Sequence, residues 1–167
     1  MVPVTKPLDV AIVGAGIAGL VAGLGLRRAG HNVTIYERSM IKDEIGAAIT
    51  LTPNAHAVLS KWGHEPGDAA GNNMTGISTI HPESLECIVS RQFPDLYREF
   101  GHSQASYHRV DLHSRLRVMA EEAGVQIKLG SGAADVDCEK GRLKLDNGST
   151  VDSDLVVIAD GTKVGDK

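Results

Sequence analysis

The chain has 167 residues, 42% of them hydrophobic and 23% charged, with a net charge of −4; that length suits one domain with its own core. Its Lys and Arg residues are scattered, form no basic stripe and are not interleaved with aromatics, which argues against nucleic-acid binding as the main task. The apolar run Val10–Leu26 is shorter than the ~20 residues of a membrane span, and it carries five glycines.

In chain order, residues 8–13 (LDVAIV) form an apolar run ending at Gly14, the pattern of a buried parallel strand. A helix is predicted from Ile17 to Ala29, closed by Gly30. Gly23 and Gly25 weaken that helix, and their expected use is to let it lie close on the sheet. Asn32–Glu37 reads as a second strand. Thr52-Pro53 predicts a helix start, with Val58, Leu59 and Trp62 as the buried side and Gly63 as the stop. Residues 73–91 suggest two strands around a turn at His81-Pro82-Glu83.

Asp111 is expected to cap the next helix, whose apolar stripe is Leu112, Leu116, Met119, Ala120 and Ala123, ending at Gly124. VQIKL is a strand. ADVDC, RLKLD and STV, separated by Lys140-Gly141 and Asn147-Gly148, predict a small antiparallel meander. A last strand over 154–159, with Leu155 to Ile158 expected to be buried, delivers the Asp160-Gly161 turn. The order β-α-β, excursion, α-β, meander, β predicts one α/β domain spanning 1–167.

Gly14-Ala15-Gly16-Ile17-Ala18-Gly19 is a GxGxxG at a strand exit, with a helix opening through it and Glu37 at the tip of the second strand. In that context each glycine has a task. Gly14 permits the turn, Gly16 lets a pyrophosphate approach the backbone, and Gly19 allows close helix–strand packing. The helix N-terminus offers unpaired N–H groups and partial positive charge to phosphates. Glu37 would accept hydrogen bonds from ribose hydroxyls and repel a 2′-phosphate. A Rossmann-like dinucleotide site for FAD or NAD, rather than NADP, follows.

Cys87 and Cys138 have no metal spacing, which points to a reducing compartment or to core filling. His108 and His113 are five apart, unlike a zinc pair on one helix face. No metal site is predicted, and His31, His81 and His102 read as polar turn residues.

Four stretches resemble the flavin-dependent aromatic hydroxylases of the salicylate hydroxylase and para-hydroxybenzoate hydroxylase type. DVAIVGAGIAGLVAGLGLRRAGHNVTIYER is similar to their FAD-binding start, with Glu37 followed by Arg38 in the ribose-binding place. IGAAITLTPNAHAVLSKWG is similar to the turn that passes the flavin, matched by Gly46, Ala47 and Ala48, with Ala48 standing where glycine is usual. YHRVDLHSRL resembles the stretch whose arginine reaches FAD, matched by Arg109. DLVVIADGTKVGDK is similar to the Asp-Gly motif, matched by Asp160 and Gly161. Ile158 departs from an expected glycine there, and Val164 from an expected serine.

The resemblance implies an α/β Rossmann-like FAD-binding domain with an added meander, FAD as cofactor, and NADH or NADPH as transient reductant. The implied reaction is O₂-dependent hydroxylation of a small aromatic compound. The family's substrate-binding sheet and later Gly-Asp motif have no counterpart in 1–167. The chain by itself is therefore expected to lack full activity, and no catalytic residue is assigned. Two alternatives stay open: a non-catalytic adenine-dinucleotide-binding module or partner subunit, and an NAD-dependent dehydrogenase domain. A cytoplasmic location and a small-molecule substrate are expected, with no nucleic-acid or membrane partner. Association through the face left by the absent substrate domain is also expected.

Overall fold

The computed structural model describes residues 6–40 and 46–161, apart from the side chains of Pro66 and Asp68. Val164 lies outside them. Contacts divide the chain into two compact units, 1–44 with 113–167 and 45–112.

The first unit is built on β1 (Asp9–Val13), α1 (Ile17–Arg28) and β2 (Asn32–Tyr36). These strands form a parallel four-stranded sheet with β8 (Gln126–Lys128) and β12 (Leu155–Ile158), in the order β12-β1-β2-β8. Period-two alternation decides which side chains meet which layer. Ala11, Val13 and Tyr36 face a cluster with Leu143 and Leu145 of the meander β9 (Ala133–Asp137), β10 (Arg142–Leu145) and β11 (Thr150–Asp152). Ile12 and Ile35 point the other way, to α1. A Cβ on Gly23 would lie 3.1 Å from the Ile35 methyl and 3.5 Å from that of Ile12, so this glycine does let the helix settle on the sheet.

α1 ends at Ala29, and Gly30 follows with φ +101. The side chain of Arg27 then donates to the Ala123 carbonyl, at 3.2 Å, just past the end of α4 (Arg109–Glu122). This helix starts two residues before Asp111, so Asp111 belongs to its first turn and is not its cap. The chain enters the helix directly from the strand that ends at His108. Leu112, Leu116, Met119 and Ala120 are buried as expected, whereas Ala123 is half-buried.

β12 is less buried than its sequence suggested, with Leu155 40% and Ile158 53% exposed. The reason is position: among the described residues it pairs only with β1 and forms a sheet edge.

In the second unit β3 (Ala48–Leu51), β7 (Ala105–His108) and β4 (Asn72–Asn73) form an antiparallel sheet with β7 at its centre. α2 (Pro53–Ser60) has Thr52 at its N-cap position and proline at its start. Its buried residues are His56 and Leu59; Val58 is exposed and Trp62 half-buried, because the imidazole takes the inward place. A short helix α3 (Leu96–Phe100) is capped by Asp95, whose carboxylate accepts from the Arg98 N–H at 3.0 Å. The expected hairpin is β5 (Gly76–Ile80) with β6 (Cys87–Gln92).

Both cysteines are exposed and free, so neither fills a core. No helix among the described residues is long and apolar enough to cross a membrane.

Candidate functional site: the glycine loop and Glu37

The β1–α1 turn is held by contacts that explain two of its three glycines. Gly14 has φ +96, and a Cβ there would approach the Ala159 carbonyl carbon to 2.9 Å. A Cβ on Gly19 would overlap the Gly14 carbonyl. Gly16 is different. Its backbone, at φ −68 and ψ 177, is open to any residue, and a Cβ there would meet nothing within 4 Å. Protein packing accounts for the first and third glycines and leaves open space at the second, as close approach of a phosphate group requires.

Around this space the chain arranges donors and one acid. Gly16 is the N-cap of α1, and Leu20 N–H donates to its carbonyl at 2.9 Å. The N–H groups of Ile17, Ala18 and Gly19 belong to the first turn, which has no intrahelical acceptors for them. Glu37 follows β2. One carboxylate oxygen accepts from the Ala15 N–H at 2.7 Å, and the other accepts from the Ser39 N–H at 2.7 Å. Each oxygen keeps a lone pair for a further donor such as a ribose hydroxyl.

Burial pushes the Glu37 carboxyl up, but the hydrogen bonds from the Ala15 and Ser39 N–H groups more than reverse this. The net shift is downward, and the group is a carboxylate at neutral pH.

Ala159 N–H donates to Val13 O at 2.8 Å, which brings the β12 exit against the glycine loop; Asp160 and Gly161 follow it, exposed, with Gly161 at φ +82. Arg38 is exposed and lies 3.9 Å from Asp146. In the second unit, Arg109 N–H donates to Ala47 O at 2.9 Å, joining two of the residues singled out there. A Cβ at Gly46 would run into the His108 ring.

His113 was missed by sequence reasoning. It is 3% exposed on α4, and its Nε2 lies 2.7 Å from the Ala15 carbonyl oxygen. The signal was available: His113 precedes the buried Leu116 by one helical turn, so it occupies the apolar stripe. A second buried polar group, His56 with Tyr107 and His64, belongs to the second unit. His56 bridges Ser103 O at 2.7 Å and the Tyr107 hydroxyl at 2.6 Å, and its ring stacks on that of His64. Among the described residues no group of three His, Cys, Asp or Glu side chains could hold a metal ion.

The sequence profile described as pyridine nucleotide-disulphide oxidoreductase matches residues 8–163. The chain belongs to that family. The chain is similar to the FAD-dependent monooxygenase cfoG of Aspergillus candidus, at 36% identity over 96% of this chain and 40% of the relative. It is also similar to hispidin-3-hydroxylase of Neonothopanus nambi, at 33% identity over 93% of this chain and 38% of the relative. Among solved structures, 2-methyl-3-hydroxypyridine-5-carboxylic acid oxygenase superposes with a TM-score of 0.80 at 29% identity, over 93% of this chain and 40% of that one. The chain thus spans about 40% of the length of these relatives.

Proposed function

We propose that this chain is the FAD-binding region of a monooxygenase that hydroxylates a small aromatic compound, with NADH or NADPH as reductant. The observation that carries the reading is the open volume at Gly16, flanked by first-turn N–H groups and by the Glu37 carboxylate. A dinucleotide pyrophosphate would take the N–H groups of the Gly16–Ala18 turn, and Glu37 would take the adenosine ribose. Ala15 links the loop to Glu37, and Gly14 and Gly19 hold its shape. Arg38, Gly46, Ala47, Ala48, Arg109, Asp160 and Gly161 are proposed further FAD contacts, supported by their resemblance to one family in the same order.

Bound FAD would supply the redox and oxygen-transfer chemistry. The residues of this chain would bind and orient it, with Glu37 as a carboxylate. The names of the relatives support a small aromatic substrate. A cytoplasmic location and association through the face that a substrate domain would cover are proposed with it. A second reading is a flavin-binding module without turnover.

The visible spectrum of the purified chain tests both. Bound flavin with NAD(P)H oxidation that depends on an aromatic substrate supports the first reading, and flavin without turnover supports the second. A colourless protein that binds NAD and not FAD would sink both. Glu37→Ala is expected to weaken FAD binding about tenfold, measured by flavin fluorescence quenching; unchanged affinity removes the ribose contact.

A further inference from the structure

Ala15 is held from both sides. Its N–H, in the Gly14–Ala15 peptide, donates to Glu37, and its carbonyl, in the Ala15–Gly16 peptide, lies 2.7 Å from Nε2 of His113. A carbonyl accepts, so Nε2 carries the proton and donates. His113 is 3% exposed, and no water is needed to complete the contact.

The consequence follows from peptide planarity. In a trans peptide the C=O and the following N–H point in opposite directions, and rotation about the bond between them is blocked. With the Ala15 carbonyl turned to His113, the Gly16 N–H is turned away from it. This is the second glycine, the position where added atoms would meet open space. The ring that holds one end of the peptide therefore aims the donor at its other end. Glu37 fixes the preceding peptide in the same way, so two side chains from different elements set the two peptide planes that flank Ala15. Backbone donors stabilise an anion most when they need no reorientation to meet it.

We propose that His113 is a positioning residue for dinucleotide binding: by donating from Nε2 to the Ala15 carbonyl it presents the Gly16 N–H to the pyrophosphate. This rests on the dinucleotide reading above. It predicts a defect confined to ligands that carry the pyrophosphate, because adenosine alone engages Glu37 and not the Gly16 N–H.

The test compares wild type, His113→Leu and His113→Gln in NMR shift titrations with ADP and with adenosine, and in flavin fluorescence titrations with FAD. His113→Leu removes the donor at similar bulk and is expected to weaken ADP and FAD about tenfold, leaving adenosine affinity unchanged. His113→Gln, which can still donate, is expected to recover most of the loss. Unchanged ADP affinity in His113→Leu, or an equal loss for ADP and adenosine, overturns the proposal while leaving the dinucleotide reading in place. Failure of wild type to bind ADP or FAD overturns both. Should His113→Leu not fold, long-range ¹⁵N NMR of the wild-type imidazole decides the matter. A protonated Nε2 in the neutral ring supports the contact, and a neutral ring protonated only on Nδ1 excludes it.

Discussion

In the first unit Ile12, Leu20, Leu24, Ile35 and Leu116 are all 0% exposed, whereas in the second the β5–β6 hairpin leaves Ile77, Ile88 and Val89 more than half exposed. The first unit layers helix and meander on opposite faces of a parallel sheet, and both faces of β1 are covered. The hairpin has cross-strand hydrogen bonds and little packing, and two strands alone are marginal in water. The second unit's own centre lies elsewhere, at Leu59, Ala105, Tyr107 and the buried imidazoles. The glycine loop lies where packing is dense, with Gly14 and Gly19 closed in by backbone atoms, which suits the proposed dinucleotide site.

That comparison can be broken by substitution. Gly19→Val drives a side chain into the Gly14 carbonyl and is expected to cost at least ~3 kcal/mol in urea unfolding. Gly16→Ala, three residues away, is expected to cost less than ~1 kcal/mol, the loss of a glycine N-cap, while FAD affinity falls. Equal destabilisation by the two would show that the loop is governed by packing throughout.

Next in size, Leu116→Ala is expected to cost ~2–5 kcal/mol, against less than ~0.5 kcal/mol for Ile88→Thr on the exposed hairpin. A large cost at Ile88 would mean that the hairpin is covered in solution.

The smallest effect concerns Glu37. Because its folded pKa is lowered, the ionised carboxylate stabilises the fold above its ordinary value of 4.5, and this is lost as pH falls through the lowered value. The stability gap between wild type and Glu37→Gln should be open at neutral pH and close on acidification. A gap that widens in acid would contradict the Ala15 and Ser39 contacts.

Much of the first unit was legible because its signals are local. The apolar run into Gly14, the helix closed at Gly30, and the Asn147-Gly148 turn each fix structure over a few residues. The sheet of the second unit was not legible. β4 is only Asn72–Asn73, and β3 and β7 pair across more than fifty intervening residues. Val58 was misplaced because an apolar stripe was assumed where the inward position is a histidine. β12 was misread because four apolar residues describe an edge strand as well as a central one. Of the candidate site, the tight packing at Gly14 and Gly19 was readable from the glycine spacing, and the Ala15–Glu37 contact was not. His113 carries no ligand-type spacing, and its only signal is its place in a buried helical stripe.

The two exposed thiols have a consequence for how the protein behaves as a material. Cys87 lies in the second unit and Cys138 in the first, and neither is engaged in a disulfide. A molecule with two reactive ends is a polymerisable monomer. In an oxidising buffer, intermolecular disulfides can therefore extend beyond dimers into a ladder of covalent oligomers, visible on a non-reducing gel and collapsed by a reductant. Replacing either cysteine with serine turns the monomer into a chain terminator, and the ladder should stop at the dimer.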